Sequence, residues 1–190
     1  MNVSEPAKEK ILDAAMNRMI KFGYRKVTMD EIAQDLVMSK NTIYKHFQSK
    51  EEISQSLFKR LQQKLNQELT LIEEAGSDPL DVISKSIFFI QKELGPWFEH
   101  FLGDVKTEIP GLYQEFINFR SEKILELRNL IQKGIKLGKV RKVNPSIAVG
   151  VYLGAIDQVL NPEFLQQEKI SFPEAINAIM DIWSLGIISK

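Results

Sequence analysis

Apolar residues recur along this chain at intervals of three and four, and strict alternation is scarce, so the pattern predicts helices and no strands. In the first segment Ile11, Leu12, Ala15, Met19 and Phe22 share one face, and Gly23 follows as a left-handed C-terminal cap. Thr28 and Glu31 have the capping-box spacing, which predicts a short helix from Met29 to about Leu36. Ser39 is placed to cap a helix over 40–47, and Ser49 with Glu52 opens a long one to about Ala75. Asp78-Pro79 and Asn144-Pro145 each put a cap residue before a proline at the first helical position. The helices they open should end at Gly95-Pro96 and near Leu160. A shorter helix is expected over Trp97–Leu102, a long one from Pro110 to Gly138, and a last one from Ser171 to about Ile188. The reading is all-α, with about nine helices and no internal repeat or flexible linker.

The second and third helices are too short to be stable alone and must pack on the first. A helix, a short turn at Val37-Met38 and another helix make a helix-turn-helix. On a wheel of residues 39–47, SKNTIYKHF, Ile43 and Phe47 fall within about 40° of each other and form a buried seam. Asn41 and Lys45 lie opposite, flanked by Thr42 and Tyr44. An amide can bond an adenine edge in two places, a threonine can touch a thymine methyl, and a lysine can reach guanine or phosphate. A short helix with a polar outer face is also what simple solvation produces, so the wheel alone leaves both readings open.

Charge changes the picture slightly. The net charge of zero argues against a nucleic-acid binder. Residues 1–50, however, carry nine Lys and Arg against six Asp and Glu (9 − 6 = +3), and residues 51–190 carry sixteen against nineteen (16 − 19 = −3). The absence of cysteine excludes disulfides, thiolate nucleophiles and cysteine metal sites. No apolar run approaches the roughly 18 residues that span a bilayer, and MNVSEPAKEKILDAA lacks a signal-peptide stretch, so a cytoplasmic location with no membrane partner is expected. With no glycine-rich phosphate loop, no nucleophile elbow and only two histidines, His46 and His100, an enzyme is not expected, and no cofactor is. His100 and Asp104 have a spacing that could share a metal, but no third ligand is suggested nearby, so no metal site is assigned.

The run ILDAAMNRMIKFGYRKVTMDEIAQDLVMSKNTIYKHFQSKEEI closely resembles the DNA-binding domain of the tetracycline-repressor (TetR) family. The shared features are F-G-Y, T-M-D-E-I-A, S-K-x-T-I-Y-x-H-F and S-K-E-E-I, in order and at the right spacing, over about residues 8–53. The resemblance implies a homodimeric regulator, usually a repressor, released from a near-palindromic operator by a small ligand. It implies a helix-turn-helix domain over 1–50 and a ligand-binding and dimerisation bundle over 51–190. Carried over by position, Thr28 and Lys50 would contact phosphates. Ser39, Lys40, Asn41, Thr42, Tyr44, Lys45 and His46 would lie on or near double-stranded DNA, with Tyr44 and His46 towards phosphates and Asn41, Thr42 and Lys45 towards bases. This chain departs from the family twice. Val37 stands where a turn glycine is common, and valine resists positive φ, so the turn should take another geometry or the helix should run longer. Asn41 stands where the reading helix often has glycine.

Relatives use the last two helices as a four-helix dimer interface. Ile147, Val151, Gly154, Ala155 and Gln158 make one stripe; Ala175, Ala178, Ile179, Ile182, Trp183 and Leu185 make the other. The competing reading of both stripes is protomer core. A ligand cavity is expected among Phe88, Phe89, Trp97, Phe98 and Phe101, with His100, Tyr113 and Phe116, since aromatics with a few polar groups suit a hydrophobic or flat compound. A ligand there would tilt the fourth helix and change the spacing of the two reading helices. A cavity filled by its own side chains would instead favour a ligand-independent DNA-binding or chromosome-organising protein.

Overall fold

A computed structural model of the chain describes residues 4–76, 78–98 and 101–188. Among them are ten α-helices: α1 Ser4–Phe22, α2 Met29–Asp35, α3 Lys40–His46, α4 Lys50–Ala75, α5 Pro79–Phe98, α6 Phe101–Glu108, α7 Pro110–Lys136, α8 Pro145–Val159, α9 Pro162–Glu168 and α10 Phe172–Ile187. The fold is all-α, a helix-turn-helix followed by a helical bundle. Outside the helices Val140 and Ile188 form an isolated antiparallel bridge.

Two helix boundaries differ from those expected, and one helix is additional. The helix α5 does not stop at Gly95-Pro96 but carries Pro96 inside it and continues to Phe98. Proline there removes one backbone bond, and the buried Trp97, packed edge-to-face on Phe101 at 4.9 Å between ring centroids, favours the continued helix. The next helix therefore spans Phe101–Glu108 rather than 97–102. The helix α9 is additional to the nine expected. Asn161-Pro162 repeats the cap-plus-proline signal at its start, and the Asn161 side chain accepts from the Glu163 N–H at 2.8 Å.

The turn at Val37 overturns the expectation that valine would avoid a left-handed conformation. Val37 has φ +52°. The N–H of Met38 reaches the Ala33 carbonyl at 2.9 Å and that of Val37 reaches Gln34 at 3.1 Å, which is the Schellman pairing. Two carbonyls left open at the end of α2 are satisfied by this turn, and that gain holds a β-branched residue where glycine would be easier.

The chain divides into two compact units, Met1–Asn66 with Glu93–Phe119, and Gln67–Lys92 with Arg120–Lys190. In the first, Ile11, Ala15, Met19, Ile32, Ile43 and Phe47 are buried, as are Ile53 and Leu57. Arg18 fastens α1 to α2, pairing with Asp35 through Nε and, at 2.8 Å, a terminal nitrogen, and with Glu31 at 3.3 Å. In the second, α8 packs on α10, and the Trp183 indole N–H donates to the Ala148 carbonyl at 2.8 Å. Tyr152 lies against Trp183 and accepts a bond from Gln91 at 2.8 Å. Gly134 admits the Val140 side chain; a Cβ added there would stand 2.6 Å from a Val140 methyl.

Candidate nucleic-acid interface

The reading helix α3 begins at a built cap. The Ser39 hydroxyl accepts from the Thr42 N–H at 3.1 Å and lies 2.8 Å from the Thr42 hydroxyl. Ile43 and Phe47 are fully buried, which pins the helix by its inner face. Asn41, Tyr44 and Lys45 are exposed, with no side-chain hydrogen bond or ion pair among the described residues, and His46 is half-buried. Asn41 and Lys45 thus present available donors and an amide acceptor on the side opposite the seam. Lys40 forms an ion pair with Asp30 of α2.

Thr28 caps α2 in a reciprocal box. Its backbone N–H and hydroxyl donate to Glu31 Oε2 at 2.8 and 2.9 Å, and the Glu31 N–H returns to Thr28 Oγ1 at 3.3 Å. These bonds, with the Arg18 charge, hold the Glu31 carboxyl below its ordinary range; Arg18 likewise lowers Asp35. At the start of α4 the Glu52 N–H donates to Ser49 Oγ at 3.1 Å, and the Glu52 carboxylate accepts from the Gln48 N–H at 2.7 Å.

Lys50 sits elsewhere than on an open face. Its ammonium donates to the carbonyls of Tyr24 and Val27 at 2.8 Å each and lies 4.0 Å from the centre of the Tyr24 ring. Burial lowers its pKa, against the acidic pull of Glu108, Asp104 and Glu31. Two of its three donors are engaged inside the protein.

The aromatic residues separate. Trp97, Phe101 and Phe116 line a small apolar cavity of about 10 Å³, together with Phe58, Leu61, Leu94, Leu102, Val105 and Leu112. Phe88 is exposed and Phe89 half-buried; both belong to the other compact unit and neither lines the cavity. Tyr113 is half-buried and does not line it either. The Phe98 side chain and His100 lie outside the described residues. Phe58 and Leu61 are legible in the sequence only as a stripe on a long helix.

The stripes on α8 and α10 separate too. Ile147, Val151, Gly154 and Gln158 face outward, as do Ala178, Ile182 and Leu185, while Ala155 is half-buried. Ala175, Ile179 and Trp183 are buried in the protomer. The outward residues still form an apolar surface: Ile147 is 65% and Val151 61% exposed, Ile182 75% and Leu185 74%.

Residues 11–57 match the family model described as bacterial regulatory proteins of the tetR family. Residues 11–57 therefore carry a TetR-family DNA-binding domain. A fatty acid metabolism regulator protein of Bacillus subtilis (strain 168) is 25% identical over the full length of both chains. A transcriptional regulator from Saccharomonospora viridis, crystallised with choline, superposes with TM-score 0.79 at 17% identity, over 98% of this chain and 100% of that one. The SmeT–triclosan complex matches with TM-score 0.72 at 18% identity, over 96% and 92%. The TetR-family head of this chain is a DNA-binding helix-turn-helix. Among the described residues no helix is long and apolar enough to cross a membrane, and no group of three His, Cys, Asp or Glu could hold a metal ion.

Proposed function

We propose that the protein is a cytoplasmic repressor that binds a near-palindromic operator as a homodimer and is released by a small apolar ligand. The carrying observation is the division of α3 into a buried seam, Ile43 and Phe47, and an unpartnered outer face, Asn41, Tyr44 and Lys45. In this reading residues 1–50 read DNA and 51–190 bind ligand and dimerise. Thr28, Ser39, Lys40, Thr42 and His46 frame the contact, and Asn41 and Lys45 meet base edges. Two reading helices in successive major grooves need centres about 34–36 Å apart, which a two-fold dimer supplies.

Dimerisation is supported by the apolar surface of α8 and α10. Burying exposed Ile147, Val151, Ile182 and Leu185 stabilises association by about 25 cal/mol per Å² of apolar area. Exposed Gly150 and Gly154 on α8 have nothing within 4 Å of the place a Cβ would take, so a second helix can approach closely there. A ligand is supported by the apolar walls around Trp97, Phe101 and Phe116 and by the choline and triclosan found in structural relatives. A wholly apolar lining favours an apolar group at the buried end, because a polar group there would find no hydrogen-bond partner.

The small size of the cavity favours one second reading, a ligand-independent DNA-binding or chromosome-organising protein of the same fold. At about 10 Å³ the space holds one water at most. The deciding experiment is fluorescence anisotropy on upstream intergenic DNA at two salt concentrations, with random DNA as competitor. Specific binding at about 10⁻⁸ M or tighter by two protomers supports the repressor. Sequence-blind, strongly salt-dependent binding supports the second reading. Tyr44→Ala should weaken all DNA alike, and Lys45→Ala should lower the salt slope by about one or relax base preference. Wild-type behaviour in both would remove α3 as the reading element.

A further inference from the structure

Residues 24–27, the connection between α1 and α2, are held from two sides. From α6, Asp104 Oδ2 accepts the Arg25 backbone N–H at 2.9 Å. The Arg25 guanidinium donates to Glu108 Oε1 at 2.8 and 3.1 Å and to Thr107 Oγ1 at 3.2 Å. The Tyr24 ring meets Phe101 edge-on, 6.4 Å between centroids. From α4, Lys50 binds the carbonyls at both ends of the same connection. The next residue, Thr28, caps α2, and α2 packs on α3.

The two helices that hold the connection also wall the cavity, through Phe58 and Leu61 of α4 and Phe101 and Val105 of α6. Since the cavity admits no more than a water, any larger guest must displace the helices that wall it, α4 and α6 among them. Close-packed interiors shift rather than compress. A connection bonded to both helices cannot keep both sets of bonds when they separate.

We infer that the α1–α2 connection is the coupling element, with Arg25 and Asp104 as positioning residues that transmit the state of the cavity to α3 without touching DNA. This rests on the proposed reading of α3 as DNA reader and of the cavity as regulatory site. The Arg25–Glu108 pair is exposed, and exposed ion pairs add little stability. Its effect is on position, together with the backbone bond to Asp104 and the buried ring contact.

The test needs no ligand. Leu61→Phe overfills the cavity from α4, Leu112→Phe from α7, and Val105→Ile adds a single methyl from α6, so the series includes a mild member if a larger one fails to fold. Each is made in the native protein and in an Arg25→Ala/Asp104→Ala background. Affinity is measured for a duplex that the native protein selects from a random pool, alongside the thermal midpoint. A double-mutant cycle isolates the coupling. Expected is a loss of affinity of about tenfold or more on overfilling the native protein, shrinking below about threefold in the double-alanine background. Equal losses in both backgrounds overturn the inference. Overfilled proteins that fold and bind as tightly as the native one overturn the regulatory cavity instead, and failure of the native protein to select any duplex overturns the DNA reading.

Discussion

The Lys50 ammonium lies 4.0 Å from the centre of the Tyr24 ring and donates to that residue's own carbonyl at 2.8 Å. A lysine so held is a structural brace before it is a phosphate ligand. Lys50→Met keeps the stem but takes the ammonium from the Val27 carbonyl and leaves the Tyr24 carbonyl with only the Val27 N–H, and should cost about 1–3 kcal/mol in urea denaturation. The salt slope of DNA binding should change by less than about one. A full unit of slope lost with stability unchanged would place the charge on DNA.

Val37→Gly should stabilise the protein. Val37 is 95% exposed, so no packing is lost, and its φ of +52° is costly for a β-branched residue. Relief of about 1–2 kcal/mol is partly offset by the greater freedom of glycine in the unfolded chain, about 0.5–1 kcal/mol. A net rise of up to about 1 kcal/mol in chemical denaturation follows from the difference. A fall would mean that the side chain makes a stabilising contact in solution.

Stability should fall at both ends of the pH range. The Thr28 bonds lower Glu31 and the Arg18 bond lowers Asp35, so their stabilisation is present above the ordinary carboxylate range and is lost as pH falls through the lowered values. Burial raises the Tyr152 hydroxyl from 10.0 to about 12, so its contribution is intact below pH 10.0 and disappears as pH climbs to about 12. Urea titrations across pH check both limbs. Arg18→Met should shrink the acid limb, and Tyr152→Phe should shrink the alkaline one.

Ile182→Glu and Ile179→Glu should part company although they lie one helical turn apart. Ile182 is on the outer surface of α10, and its charge should yield a folded monomer in light scattering. Ile179 is buried in the protomer, and its charge should unfold the chain. A dimeric Ile182→Glu protein would move the interface elsewhere.

The helix caps make most of the fold legible, because each is a local bond between a side chain and a backbone N–H a few residues on. Thr28 with Glu31, Ser39 and Ser171 all cap as their spacing predicts. What the sequence hides depends on distant partners. The helix α5 passes through Pro96 alongside a buried Trp97, and no local signal reports that burial. Val37 adopts positive φ because Ala33 and Gln34 need their carbonyls satisfied, a requirement that composition does not reveal. The outer face of α3 follows from periodicity alone, whereas the sorting of Ile179 from Ile182 requires knowing which side of α10 meets α8. Asn161-Pro162 is a local signal of the legible kind, but the helix it opens, Pro162–Glu168, is too short for periodicity to mark.

The ion pair between Lys40 and Asp30 bears on the thermodynamics of docking. A free lysine that meets a phosphate liberates a condensed cation from DNA, and the entropy of that liberation is what makes affinity fall as salt rises. Lys40 arrives already carrying a tethered carboxylate, so in the proposed reading of α3 a phosphate competes with Asp30 for the same ammonium. The step is an exchange of one anion for another, and the displaced carboxylate stays beside the groove as a repulsive charge. In the proposed reading of α3, this exchange offsets part of the cation release that Lys40 would otherwise contribute, so the salt slope of DNA binding should fall short of the count of basic residues.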